Sequence, residues 1–199
     1  MPNESQNTPI LEAIVSRYSV SPRRLNEPGP NQDQLDDLMR AAAAAPDHGR
    51  LHPWRFIHFP KECRARLAGV FEAAALELKP DASREELARA REKAASGPCL
   101  LGVVSKVQEP HAIVTRDEQL ISCGAALQNI ILAAQEQGFG MRAVSGHRLH
   151  TDIFRKAIGL AENEIFQCFL VIGTAEGAPK KRERPGPEDL LKTWERSPL

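Results

Sequence analysis

Three groups of residues in this chain carry side chains suited to holding an anion or a planar ligand. Arg17, Tyr18 and Ser19 stand together near the start, with Arg23 and Arg24 close behind. A guanidinium offers a two-pronged fork for phosphate, and a serine hydroxyl adds a donor. The same arginines would also suit the negative pole at the end of a helix. The second group is the loop from Pro46 to Trp54, with Asp47, His48, Arg50 and His52 inside it. Prolines near both ends stiffen such a loop, and a stiff loop suits gripping a ligand edge by main-chain contacts. A plain connector with Trp54 in the core is an equal reading. The third group is Lys180-Lys181-Arg182-Glu183-Arg184-Pro185. Extended residues alternate faces, so Arg182 and Arg184 would point the same way and clamp an anion. The ordinary meaning of such a run is a solvated basic patch.

Other chemistries lack their residues. No GxGxxG follows a strand, and there is no P-loop and no GxSxG elbow. Gly138-Phe139-Gly140 is only a GxG at a helix end. His48 and His52 have helical spacing, but Pro46 and Pro53 disfavour a helix there, so no metal site is expected. Cys63, Cys99, Cys123 and Cys168 form no CxxC and read as small core hydrophobes.

The elements that must position these groups are legible from caps and periodicity. Thr8-Pro9 opens a helix that fades near Tyr18. Asn31 and Gln34 resemble a capping box for a second helix, through the Ala41–Ala45 run to Pro46. Trp54 to Phe59 is β-like. Lys61 to Leu78 is an amphipathic helix with Leu67, Val70, Phe71 and Ala74 on one face. Ser83 and Glu86 cap a charged helix, a solvated surface element or a lid, ending near Ser96-Gly97-Pro98. Cys99 to Val104 is a buried strand. Thr115 and Glu118 cap a helix running to about Gln137, apolar on most sides and so expected in a core or a subunit interface. Gly138 suits its C-terminal cap. Phe139–Val144 and Ile165–Gly173 read as strands, Thr151–Ile158 as a short helix, and a last short helix is expected around Leu190 to Trp194. Helices first, then strands separated by helices, favour α+β.

The chain has 199 residues, 42% hydrophobic and 26% charged, with 26 basic against 26 acidic side chains. A packed domain is expected, spanning 1–199, with 1–8 and roughly 186–199 as loose or arm-like termini. Balanced charge argues against nucleic acid. No run suits a bilayer span, and the N-terminus lacks a basic n-region and an apolar h-region, so a cytoplasmic location is expected.

Taken together, Arg17-Tyr18-Ser19, Ala45-Pro46-Asp47-His48 with Pro53-Trp54, and Gln137-Gly138-Phe139-Gly140 followed by Ser145-Gly146 resemble the nitroreductase-like FMN-dependent flavoprotein family, and most of all its compact subgroup. The likeness runs from about Pro9 to Thr174. It implies an α+β fold with a central sheet flanked by helices, in an intertwined homodimer binding FMN at the interface. Arg17 and Ser19 would hold the FMN phosphate or ribityl chain, with the Tyr18 backbone alongside. Pro46 and His48 would reach the flavin bound mainly by the other subunit. Ala143, Val144 and Ser145 would line the flavin, and Ala133 to Gly138 would face NADH or NADPH. Arg182 or Arg184 would complete the phosphate site.

Some positions depart from the family's pattern. Arg50 stands where larger relatives carry a small or amide residue, and His52 where they carry Gln. Both would add positive charge near a substrate carboxylate. Ser21-Pro22 displaces a third arginine, leaving Arg23 or Arg24 to serve. The implied activity is NAD(P)H-driven reduction of nitroaromatic or quinone-type acceptors, by ping-pong hydride transfer through the flavin and without a protein acid or base. The alternatives are a flavin-binding protein without turnover, a flavin-dependent dehydrogenase or dehalogenase-type enzyme, and a helical dimerisation module that binds no flavin.

Overall fold

The structure, a computed structural model, describes residues 8–178 and 183–194. Thr8 opens α1 (Pro9–Ser16) by accepting the Leu11 amide at 3.4 Å, with Pro9 in the first helical position. Reciprocal capping boxes open α2 (Gln32–Ala43), α4 (Arg84–Glu92) and α5 (Arg116–Glu136), using Asn31 with Gln34, Ser83 with Glu86, and Thr115 with Glu118. Between α2 and α4 lies α3 (Arg64–Leu78), which begins after a 3-10 turn at Lys61–Cys63. Thr151 caps α6 (Asp152–Ile158). The α2 helix stops at Ala43, short of Pro46, because a proline disfavours helical backbone in the residue before it.

The strands are β1 (Leu25–Asn26), β2 (Trp54–His58), β3 (Cys99–Lys106), β4 (Gly140–Val144) and β5 (Glu164–Ala175). All pairings are antiparallel. β5 pairs with β3, β4 and β1, and β2 adds to the far edge of β3. The sheet is central, with α3 and α6 on one face and α2 and α5 on the other. Strand β1 went unread in the sequence because two residues carry no periodicity.

Alternation along β3 sends Leu100 and Val104 to the α3 face, and Cys99, Leu101 and Val103 to the α5 face. A register shift in the β3–β5 ladder pairs Val103 with Cys168 but Val104 with Phe166, leaving Gln167 as an extra residue. This bulge puts Phe166 and Phe169 on the same face. They meet Phe59, Phe71 and Phe154 there, with ring centroids between 4.7 and 6.1 Å apart.

On the other face α5 buries one stripe, including Cys123, Ala126, Ile130 and Ala134. Its remaining apolar side chains are half-buried, or exposed as Ile121 is. The last helix, α7, spans Pro187–Leu190 rather than Leu190 to Trp194. Pro187 fixes its first position, and Asp189 reaches back to the Gly186 amide at 3.0 Å, so the turn starts earlier than apolar spacing suggested.

Cys99, Cys123 and Cys168 are buried, and burial pushes each thiol up to about 11. Only Cys63 is partly exposed. A disulfide reagent is therefore expected to titrate one thiol quickly in the native protein and the rest only on unfolding. Rapid reaction of two or more native thiols would contradict this packing.

Candidate functional site

The expected contacts gather first around the C-terminal end of α5. Gly138 follows it with φ +84°, a conformation that favours glycine. The Gly138 amide bonds the Gln135 carbonyl and the Phe139 amide bonds the Ala134 carbonyl, both at 2.9 Å, forming a Schellman cap. Gly140 then starts β4 where a Cβ would lie 2.7 Å from Ala175 and 2.9 Å from Val20, so the chain before β1 can pass close by. The Val20 amide bonds the Met141 carbonyl at 2.9 Å, which lays the segment leading from Arg17 beside β4. Gln135 donates to the Ala13 carbonyl at 3.0 Å and pins α1 to the same end of α5.

Arg17, Tyr18 and Ser19 thus lie by the end of α5 and the start of β4. Tyr18, Gly138 and Phe139 line a cleft of about 160 Å³ there. Arg184 donates to the Arg17 carbonyl at 2.6 Å, which brings the tail to this place. Among the described residues, no side-chain hydrogen bond or ion pair engages the Arg17 guanidinium or the Ser19 hydroxyl. Both polar ends are available to a ligand, and the pair suits a phosphate. Arg182 lies outside the described residues.

A larger cavity of about 840 Å³ opens where β4 ends. Val144 and Ser145 line it from β4 and the turn beyond, Ser21 and Arg23 from the segment before β1, and Phe169 and Val171 from β5. Its size falls within the range of roughly 300–1,000 Å³ usual for small-molecule sites. Its charged lining is mainly cationic: Arg23, Arg89, Lys93 and Arg148 against Glu92. Partial burial, and then the Arg148 charge, hold the Lys93 ammonium below the usual lysine range.

Pro46 and His48 lie elsewhere. The His48 ring bonds a Glu118 carboxylate oxygen through Nδ1 at 3.0 Å, at the N-terminal end of α5. The other Glu118 oxygen accepts the Thr115 amide at 2.7 Å and its hydroxyl at 2.8 Å. The Thr115 amide bond, then the His48 contact, bring the Glu118 carboxyl down to about 2. A depressed carboxyl stabilises the fold above the ordinary carboxylate range, and that contribution disappears as pH falls towards about 2.

Asp47 holds the rest of the loop by accepting the His52 amide at 2.7 Å. Arg50 and His52 keep φ values of +53° and +45°. Beside the prolines, this carboxylate bond constrains the loop backbone. Glu118 and Gly138 lie at opposite ends of α5, about 30 Å apart at ~1.5 Å per residue. One chain therefore carries the expected contacts in two separate places.

A model of the nitroreductase family matches residues 14–174. The chain belongs to the nitroreductase family. It is 36% identical over 166 residues to YdjA of Escherichia coli strain K12, a relative named for an NAD(P)H nitroreductase, covering 83% of this chain and 88% of that one. A nitroreductase-like family protein from Bacillus cereus superposes with a TM-score of 0.80 at 26% identity, covering 97% of this chain and all of that one. The FMN and NADPH-dependent nitroreductase NfnB from Sphigopyxis sp. strain HMH, in its Y88A mutant, shares the fold with a TM-score of 0.72 at 19% identity, covering 91% of this chain and 96% of that one.

Within this nitroreductase fold, Arg24 is spent on structure. Its guanidinium donates to the carbonyls of Glu176 at 2.7 Å and Ala178 at 3.0 Å, whereas the Arg23 side chain has no such bond among the described residues. Lys93 and Arg148 were missed as site residues in the sequence. Lys93 lies at the end of a helix read as a surface element or lid, and Arg148 in a turn with no signature. Only the fold brings them to one cavity. Among the described residues no cluster of His, Cys, Asp or Glu could hold a metal ion, and no helix is long and apolar enough to cross a membrane.

Proposed function

We propose that this protein is an FMN-dependent NAD(P)H oxidoreductase that reduces nitroaromatic or quinone-type acceptors, and that it works in the cytoplasm as a homodimer whose chains are each one domain. The observation that carries the reading is that the Arg17 and Ser19 side chains have no hydrogen-bond or ion-pair partner among the described residues, with Arg184 bonded to the Arg17 carbonyl, while Ser21 of the same segment lines a cavity of about 840 Å³ together with Val144 and Ser145. Arg17, Ser19 and Arg184 would hold the FMN phosphate, with the Tyr18 backbone alongside. Ala143, Val144 and Ser145 would line the ring, and the stretch from Ala133 to Gly138 would face the nicotinamide nucleotide. FMN held there would supply hydride transfer through N5 between NADH or NADPH and the acceptor. The protein's own part is to fix the phosphate, shape the apolar floor and exclude water from the ring. The fold shared with an FMN and NADPH-dependent enzyme supports the reading.

The separation of Pro46 and His48 from Gly138 supports a dimer. Two copies with their α5 helices antiparallel about a twofold axis would bring each chain's His48 loop to the other's α5 end. Apolar surface in need of cover points the same way: α1 buries no side chain, and Ile10, Ile121 and Trp194 are 73%, 72% and 87% exposed.

Initial rates measured against NADPH at several fixed quinone concentrations are expected to give parallel double-reciprocal lines, because reductant and acceptor use the flavin in turn. Intersecting lines would contradict the ping-pong scheme.

A further inference from the structure

We infer that Lys93 and Arg148 form an anion-binding locus in the large cavity that takes the carboxylate of an acidic aromatic electron acceptor. This rests on the reading that the same cavity holds the flavin. Lys93 stands in the single turn after α4, and Arg148 in the turn after β4. Both line the cavity, and among the described residues neither side chain has an acidic partner or a hydrogen bond. Arg23 and Arg89 stand in the same lining. Arg89 reaches Glu85 only at 3.9 Å, and Glu92 is the one carboxylate residue of the lining.

Two cations on a partly desolvated wall repel each other, and an anion placed between them removes that penalty. On the proposed reading the FMN phosphate does not meet this need, because Arg17, Ser19 and Arg184, which meet beside the end of α5 rather than in the cavity lining, would hold it. The cavity cations are therefore in excess of the cofactor. An aromatic carboxylate matches what remains. Its ring suits the accessible apolar side chains of Leu78 and Val144, and its carboxylate suits the planar fork of Arg148.

Benzoate, an unreactive probe, is titrated into the FMN-loaded protein and followed by the flavin difference spectrum, with benzamide as the neutral control. Benzoate is expected to bind at least about tenfold more tightly than benzamide. Arg148→Met should remove that preference, Arg148→Lys should keep part of it, and the FMN Kd of both variants should stay near that of the wild type. In turnover, the kcat/KM ratio of 4-nitrobenzoate to 4-nitrobenzamide should fall in Arg148→Met by a similar factor. Equal affinity for the two probes would overturn the assignment. So would loss of the preference in Arg50→Ala but not in Arg148→Met. Competition between FMN and benzoate for the apoprotein would give these cations to the flavin and overturn it as well. A wild-type protein that keeps no flavin would fail the flavin reading separately. The benzoate preference, read on that protein by thermal shift, would still decide the locus.

Discussion

Arg17→Ala is expected to weaken FMN retention by about 10- to 100-fold while leaving the melting temperature of the apoprotein almost unchanged. The two halves of this expectation have different causes. No side-chain partner among the described residues holds the Arg17 guanidinium, so removing it breaks no hydrogen bond or ion pair among them. Substitutions of that kind usually cost less than about 0.5 kcal/mol. A phosphate bound there, however, loses a charge-assisted fork worth about 1.5–3 kcal/mol. The bond that Arg184 makes goes to the Arg17 carbonyl, which alanine keeps. Fluorescence titration with FMN and a thermal melt of the apoprotein check both halves. An unchanged FMN Kd would remove Arg17 from the phosphate site, and a collapsed melt would make it a structural residue.

Phe169→Ala should be damaging in the opposite order, with stability lost first and the site as a consequence. Phe169 is 4% exposed and packs against Phe59, Phe71, Phe154 and Phe166 while also lining the large cavity. Truncating a buried phenylalanine costs about 3–5 kcal/mol, through lost burial and the void left behind. In a domain of this size that lowers Tm by about 10 °C. The same void opens the cavity floor, so FMN affinity should fall as well. A Tm within about 2 °C of wild type, read against the scale of the other core residues, would show that the aromatic cluster does not support the cavity.

How much of this was legible in the sequence differs by element. The helix starts were readable because their caps are local: Thr8, Asn31, Ser83, Thr115 and Thr151 each accept the amide three residues on. Strands β3 and β5 were readable as apolar runs. Strand β1 was not, since Leu25 and Asn26 count as a strand only through Ala175 and Thr174, at the other end of the chain. The bulge at Gln167 leaves no mark in the sequence, yet it sets which face Phe166 takes.

The site divides the same way. Arg17, Ser19, Gly138 and Ser145 sit in local signatures; the fold lays the segment of Arg17 and Ser19 beside the end of α5, and Ser145 at the far end of β4. Arg24 had the same side-chain chemistry as Arg23, and only the tail carbonyls of Glu176 and Ala178 distinguish the two. Lys93 and Arg148 meet through tertiary packing alone. The left-handed backbone at Arg50 and His52 was hidden because neither residue is a glycine, and it depends on the Asp47 carboxylate reaching the His52 amide.

The most direct test of the account is the visible spectrum of the purified protein after FMN is added and the excess removed. Flavin bands at about one FMN per chain, bleached by NADH or NADPH without oxygen, are the expected result. A colourless protein, or a flavin that neither nucleotide bleaches, would contradict it.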